Sequence, residues 1–532
     1  MRVEGTAEGT GERTGEPTGE PTGEAAVGRR VCSAGERATV RYVGPVPPTA
    51  GLWLGVEWDN PERGKHDGSH EGVQYFTCRH PKGASFVRPA KVSFGVDYLT
   101  AVQRQYEINM DKVLSQEISI CTRKLNWSDV EERRLEDLPS VVLARVEVNG
   151  PGPAGEIRKT TPNVSWLDLT RSLLCCWEDV AAITEQLDKL ERLELSQNRL
   201  SLPSDPSAHC QAFCNLKVLV LNNCRITWPQ ILECAPMWPQ LENLSVEEND
   251  ITELQRPERV LQSLKHLSLS SNALVQDTVL SLSALPRLEY LNLNNTGLSS
   301  IQFEDAAPGC ETAMFSALKD LNLRDNNITE WCVINELSKL PRLEKLVCLG
   351  NRLVTSDMNY KTANQLFIAK LEHLASLNNC EVKAEDRRGA ELDYMKMFGE
   401  DWLKAGGPGQ ASAEFTSEHP RYQNLINKYG APDEDLLKKP KSSALKNQLL
   451  NITFVFPDDA ERKPVEKKLP ASMDIQKVKG FLYRLLKVPA ADLRLSYTSN
   501  KKEGREYEME SNLKTLHFYA IEDGDQVLVR WF

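Results

Sequence analysis

Leucine recurs through the middle of the chain at a spacing that neither one helix nor one strand produces. In LERLELSQNRL, Leu190, Leu193 and Leu195 lead to Asn198 and Leu200. The same spacing returns at Leu216, Leu219, Leu221, Cys224 and Ile226, and again at Leu241, Leu244, Val246, Asn249 and Ile251. Asn272, Thr296, Asn326 and Asn351 mark further copies, and Ser172 fills the slot in VSWLDLTRSLL. A degenerate copy is expected at Leu138, Val141, Leu143, Val146 and Val148. From Ser172 onward the slots step by 26, 26, 25, 23, 24, 30 and 25 residues. Such a period marks one small unit repeated coil after coil. The L-x-L pair should alternate inward on a short strand, with the other leucines filling the turn behind. The Asn side chain should bond the backbone of its own loop and of the next coil, and Cys or Thr can do part of this. No single coil buries its apolar face, so the coils must stack on one core. Outward strand positions, including Ser196, Ser268 and Asn294, are then mostly small and polar. Among them Glu194, Asn222, Glu247, Asn292, Asn322 and Arg324 are candidates for protein contact.

The flanks follow other periods. Residues 1–27, where TGEP and TGE recur from Thr14 to Glu24, are expected to be a disordered tail. Over 28–98 short apolar runs alternate: GERATVRYVG with Ala38, Val40 and Tyr42 on one face, then LWLGVEWD, VQYFTC and ASFVRPAKV, around the Gly-rich loop NPERGKHDGSHEG. That pattern predicts a small, strongly bent β-barrel. Residues 99–137, with a helical run near Tyr98–Gln105, read as a connector and a cap for the first coil. The repeats and a C-terminal cap fill 138–403, ending in a coil at Leu371, Leu374 and Leu377 and a helix containing Arg387, Arg388, Ala390 and Glu391. Residues 404–448, with Gly406-Gly407-Pro408-Gly409 and Lys438–Lys441, read as a linker in which HPRYQNLINKYGAP forms a short helix. Over 449–532, Leu450, Ile452, Phe454 and Phe456 alternate on a strand, and Ile475, Val478, Leu482 and Leu485 recur at helical spacing. Leu493, Leu495 and Tyr497 alternate again, before a Gly-Asp turn into a strand with Val527, Val529 and Trp531.

Charge and composition narrow the functional classes. The 532-residue chain carries a net charge of −11, which argues against a general nucleic-acid binder. No apolar run approaches the ~18 residues of a membrane span, and no secretory signal is evident at the start. Thirteen Cys without a C-x-x-C pair suggest reduced thiols and a cytoplasmic location. Cys210, Cys214 and His209 lack a second ligand pair, so no metal is expected. No cofactor is expected either, and no nucleophilic triad or phosphate loop points to an enzyme. Residues 28–98 stand out with ten Lys/Arg against seven Asp/Glu, a basic island suited to an acidic partner.

That island carries a resemblance. Trp53, Gly55, Val56 and Glu57, then Gly64-Lys65-His66-Asp67-Gly68-Ser69, then Gly72, Tyr75-Phe76 and Cys78 resemble a CAP-Gly domain. The family loop reads GKNDG, and here His66 replaces the Asn. The resemblance implies an SH3-like β-barrel that recognises Glu-rich C-terminal peptides ending in Tyr or Phe, as in α-tubulin tails. Its expected site residues are Trp53, Gly64, Lys65, His66, Asp67, Gly68 and Phe76. Gly64 and Gly68 would let the backbone present N–H groups, and Lys65 would meet a carboxylate. Trp53 and Phe76 would form a slot for the terminal ring. Trp58 and Phe86 are expected in the barrel core.

The repeat is similar to leucine-rich repeats, with a cap resembling the SDS22-like class, and implies a solenoid. Strand, helix and strand over 449–532 resemble a ubiquitin-like β-grasp. The fold class is thus a multidomain α/β chain. Together the three modules resemble the tubulin-folding cofactor E family. That resemblance implies a chaperone that binds α-tubulin and works with tubulin cofactors D, C and B in assembly and disassembly of the αβ heterodimer, cytoplasmic and cytoskeleton-associated. The ubiquitin-like end would add a contact to tubulin, to another cofactor or to the degradation machinery. Two alternatives stay open: a CAP-Gly adaptor at microtubule ends, and a leucine-rich repeat regulatory subunit of a phosphatase or ligase.

Overall fold

The computed structural model describes residues 24–106, 134–353, 360–408, 411–432, 449–459, 461–498 and 506–531. They divide into two compact units, Met1–Arg225 with Glu233–Gln240, and Ile226–Leu232 with Leu241–Phe532. No helix among the described residues is long and apolar enough to cross a membrane.

The first unit opens with an antiparallel sheet in the order β1 (Arg30–Ser33), β2 (Glu36–Val46), β3 (Thr49–Trp58) and, past the hairpin of β4 (Ser69–His70) and β5 (Val73–Gln74), β6 (Ala84–Val87). Val31, Ala38, Val40, Leu54, Val56 and Trp58 form its core. Tyr42 departs from the alternation expected of Ala38 and Val40. Val40 pairs with Val56 but Tyr42 pairs with Gly55, so one extra residue lies between them. This bulge turns Tyr42 onto the opposite face of the sheet.

After the sheet in sequence the helical run over Tyr98–Tyr106 forms as expected, whereas most of WSDVEERRLEDL lies outside the described residues. The repeats then begin. Parallel strands Ser140–Val142, Trp166–Asp168, Arg192–Glu194 and Val218–Val220 align Val141, Leu167, Leu193 and Leu219, so the degenerate copy is a true coil. Asn198 is buried, donates to Leu169 O and Leu195 O, each at 2.9 Å, and accepts from Ser172 N. The slot residue thus bonds its own loop and the preceding coil rather than the next one. Its two donors and its oxygen meet backbone groups that a turn would otherwise leave unpaired.

The second unit carries the same ladder through Leu244, Leu267, Leu291, Leu321, Leu346 and Leu377. Asn272 and Asn326 repeat the Asn198 bonds. The helix Ala384–Met397 then covers the last coil. Its Glu391 is fully buried yet meets Arg421 at 2.6 Å, Lys428 at 2.7 Å and Tyr429 Oη at 2.7 Å.

The linker expected over 404–448 differs from this. Ser412 caps the helix Ala413–Glu418, and the helix Tyr422–Tyr429 buries Tyr422 and Leu425 against Tyr394 and Trp402. Aromatic side chains spaced among polar ones supply the apolar face there; residues 433–448 lie outside the described residues. The C-terminal part is a five-stranded sheet with the helix Ile475–Leu486 on its buried face. Leu486, not Leu485, completes the inward stripe, and Leu485 is 41% exposed. The strands Val465–Pro470 and Glu506–Glu508 are too charged to announce themselves in the sequence.

Candidate functional site

The loop GKHDG is held by internal bonds at nearly every backbone position. Gly64 N–H donates to Pro61 O and Lys65 N–H to Ala84 O. His66 and Ala84 form a two-way bridge. Gly68 N–H donates to His66 Nδ1 at 3.0 Å. The N–H groups at Gly64 and Gly68 are therefore spent within the loop, and the two glycines serve close packing instead. A Cβ on Gly64 would stand 1.9 Å from Lys82 O. Gly68 has φ +98°, and a Cβ there would stand 2.0 Å from Phe76 O. Asp67 is exposed but bonded within the loop. Its carboxylate accepts from Ser69 Oγ at 2.5 Å and Ser69 N at 3.0 Å, and these bonds hold its pKa below the usual carboxylate range. Lys65 alone of the loop side chains is exposed with no bond drawing it into the loop.

Aromatic rings gather beside this loop. Phe86 pairs across from Gly55 on β3, and Gly55 pairs with Tyr42 on β2. The bare Gly55 lets Phe76 lie on the sheet, where a Cβ would stand 2.3 Å from its ring. Phe76 is consequently buried, at 9% exposure. Half-buried Phe86 sits 5.8 Å from Phe76, 5.4 Å from Tyr75 and 6.3 Å from Tyr42. His66 stacks on Phe86 at 4.9 Å, and His70 meets its edge at 6.2 Å. Burial lowers the His66 pKa, so the imidazole is neutral near pH 7 and free to accept from Gly68. Trp53 stands under the Arg88 guanidinium, 3.8 Å from its centroid, and donates to Thr49 Oγ1.

The expected slot between Trp53 and Phe76 is thus not what the rings form. Phe76 is buried, half-buried Trp53 carries the Arg88 guanidinium over its ring, and half-buried Tyr42, Tyr75 and Phe86 form a separate group of rings. Phe86 was expected in the core; its pairing opposite Gly55 places it on the face that carries Tyr42. Trp58 is in the core, 4% exposed. An aromatic at a strand end opposite a glycine was the available signal for Phe86.

The outward strand positions of the repeats are held by local bonds. In the first unit Glu194 pairs with Arg192 at 2.7 Å, and the Asn222 carbonyl accepts from Gln197 N at 2.8 Å. In the second, Ser268 Oγ donates to Glu247 at 2.5 Å and Asn292 donates to Ser268 Oγ at 2.9 Å. Asn322 accepts from Arg324 N at 3.0 Å, while the exposed Arg324 guanidinium meets Asp325. Elsewhere Cys175, Cys176 and Asp179 bring their ligand-type atoms within 4.8 Å of one another, a cluster outside the sequence expectations.

The CAP-Gly domain model matches residues 27–92 and the ubiquitin-like domain model residues 451–530. The chain is 56% identical to tubulin-specific chaperone E of Danio rerio, over 95% of this chain and 99% of that one. It is 49% identical to the Xenopus laevis protein of the same name, over 94% and 98%. The solution structure of the C-terminal ubiquitin-like domain of mouse tubulin-specific chaperone E matches at 49% identity, covering 18% of this chain and 95% of that one, with a TM-score of 0.16.

Proposed function

The chain belongs to the tubulin-specific chaperone E family, and from that membership we propose that it grips α-tubulin through the acidic, aromatic-ended tail while cofactors D, C and B join it. It is a tubulin-folding cofactor, and its role is binding rather than catalysis. In this reading residues 28–98 form a small SH3-like barrel, 138–403 a capped solenoid and 449–532 a fixed docking module. That last module contacts tubulin, another cofactor or the degradation machinery, and the work takes place in the cytoplasm, beside the cytoskeleton.

The observation that carries the tail-binding part is the exposed Lys65, bonded through its backbone to Ala84 and followed by the His66 ring that stacks on Phe86, with Tyr42 and Tyr75 around Phe86. A carboxylate can pair with the ammonium while a terminal ring packs edge-to-face on the aromatic group. Neutral His66 fixes the loop without adding a competing charge. The repeats offer a second, broader contact, and two contacts on one ligand raise its effective concentration. Gel filtration of the full chain with free αβ-tubulin dimer tests this: co-elution with dimer, without co-sedimentation on polymer, is expected. Sedimentation with polymer alone would instead favour the microtubule-end adaptor.

A further inference from the structure

Away from the aromatic cluster, the first unit contains an arginine-lined cavity of ≈ 220 Å³. One wall comes from successive repeats. Arg171, Gln197 and Asn223 occupy the same turn, 26 residues apart, and each adopts a left-handed backbone with φ of 56°, 61° and 53°. Two of these turns are fixed to the next coil: Arg171 N–H donates to Ser196 O and Gln197 N–H to Asn222 O. The other wall is the N-terminal sheet, through Glu36, Arg37 and Asp59.

The charges there do not balance. Asp59 is already bound by Arg30, whose Nη1 lies 2.7 Å away. Glu36 reaches Arg171 only at 3.9 Å. Arg37 is 5% exposed, and its Nη2 donates to Arg145 O at 2.8 Å while its buried Nε has no partner among the described residues. Arg199 also has a buried Nε without a partner among the described residues, although Nη1 reaches Asn198 O at 3.1 Å and the Asn223 carbonyl, and Nη2 reaches Asn223 Oδ1 at 3.4 Å. Burial pulls down the pKa of both guanidiniums. Gathering cations out of water is costly unless an anion completes the set. A guanidinium fork suits a planar oxyanion, and the Gln197 and Asn223 amides add neutral donors. The volume falls below the ~300–1,000 Å³ of small-molecule sites, so it takes a side chain rather than a nucleotide.

We propose that this cavity is a carboxylate-binding site that receives a Glu or Asp side chain of an acidic polypeptide ligand. It shares no residue with the aromatic cluster and does not depend on an aromatic end.

The test uses the full chain and a fluorescent poly-Glu peptide that lacks a terminal aromatic, read by anisotropy at low salt. Arg171→Gln removes a partly exposed arginine outside the core and should weaken binding about three- to tenfold. Arg171→Lys should recover only part of the loss, because the fork is gone. Arg199→Gln provides the second variant, with its thermal midpoint recorded beside its affinity. Unchanged affinity in Arg171→Gln together with Arg199→Gln at full folding overturns the proposal. A loss confined to Lys65→Ala overturns it too, while leaving the tail-binding reading intact. Inorganic phosphate that raises the thermal midpoint through Arg171 but is not displaced by the peptide also overturns it, in favour of a phosphate site.

Discussion

At position 66 imidazole replaces the amide of the GKNDG loop, and the replacement is accommodated by chemistry that a sequence does not display. Its Nδ1 takes the Gly68 N–H and its ring stacks on Phe86, so the residue acts as a brace. The loop residues were legible because their order is long and specific. Their roles were not, because each depends on which backbone atom lies opposite. His419 makes the same point inside the C-terminal cap. Burial, aided by the nearby Lys370, pushes its imidazole down to about 4, while Tyr394 Oη lies 2.6 Å from Nδ1. The unfolded imidazole titrates near 6.5. Between those values the unfolded chain binds a proton that the folded one does not, so stability should fall as pH drops from 6.5 towards 4. Urea midpoints at pH 7 and pH 5 should converge in His419→Gln relative to the unsubstituted chain. An identical acid-side slope in both would remove His419 from the account.

Elements show where pattern reading succeeds and where it stops. The leucine period located every repeat strand, including the degenerate Ser140–Val142, because coil stacking demands inward leucines. It failed at the bulge before Tyr42, since one unpaired residue reverses the side-chain alternation without altering composition. It also passed over the helix Ala413–Glu418 and, although it expected the short helix at Tyr422–Tyr429, missed that this helix packs its aromatics into a core. The GKHDG loop is an element whose shape rests on two absent side chains. Gly64→Ala should cost about 1–3 kcal/mol through overpacking against Lys82 O. Chemical denaturation followed by Trp58 fluorescence would read that loss. The repeat array should retain its own transition, because its core shares no side chain with this loop.

For the whole molecule, the family reading rests on relatives aligned over nearly the full chain, whereas the tail-binding reading rests on one face of one sheet. The repeats, which dominate the sequence pattern, present outward side chains of which Glu247, Ser268 and Asn292 bond in a chain and Arg324 meets Asp325. Specific grip is therefore assigned to the aromatic cluster and Lys65, with the repeats as the broader support. The most direct test is the affinity of the full chain for a Glu-rich peptide with and without its terminal Tyr, measured alongside Phe86→Ala and Lys65→Ala. The account predicts that removing the Tyr weakens binding on the order of tenfold, and that Phe86→Ala makes the two peptides bind alike. Equal affinities for both peptides in the unsubstituted chain, or full retention of the Tyr preference in Phe86→Ala, would contradict it.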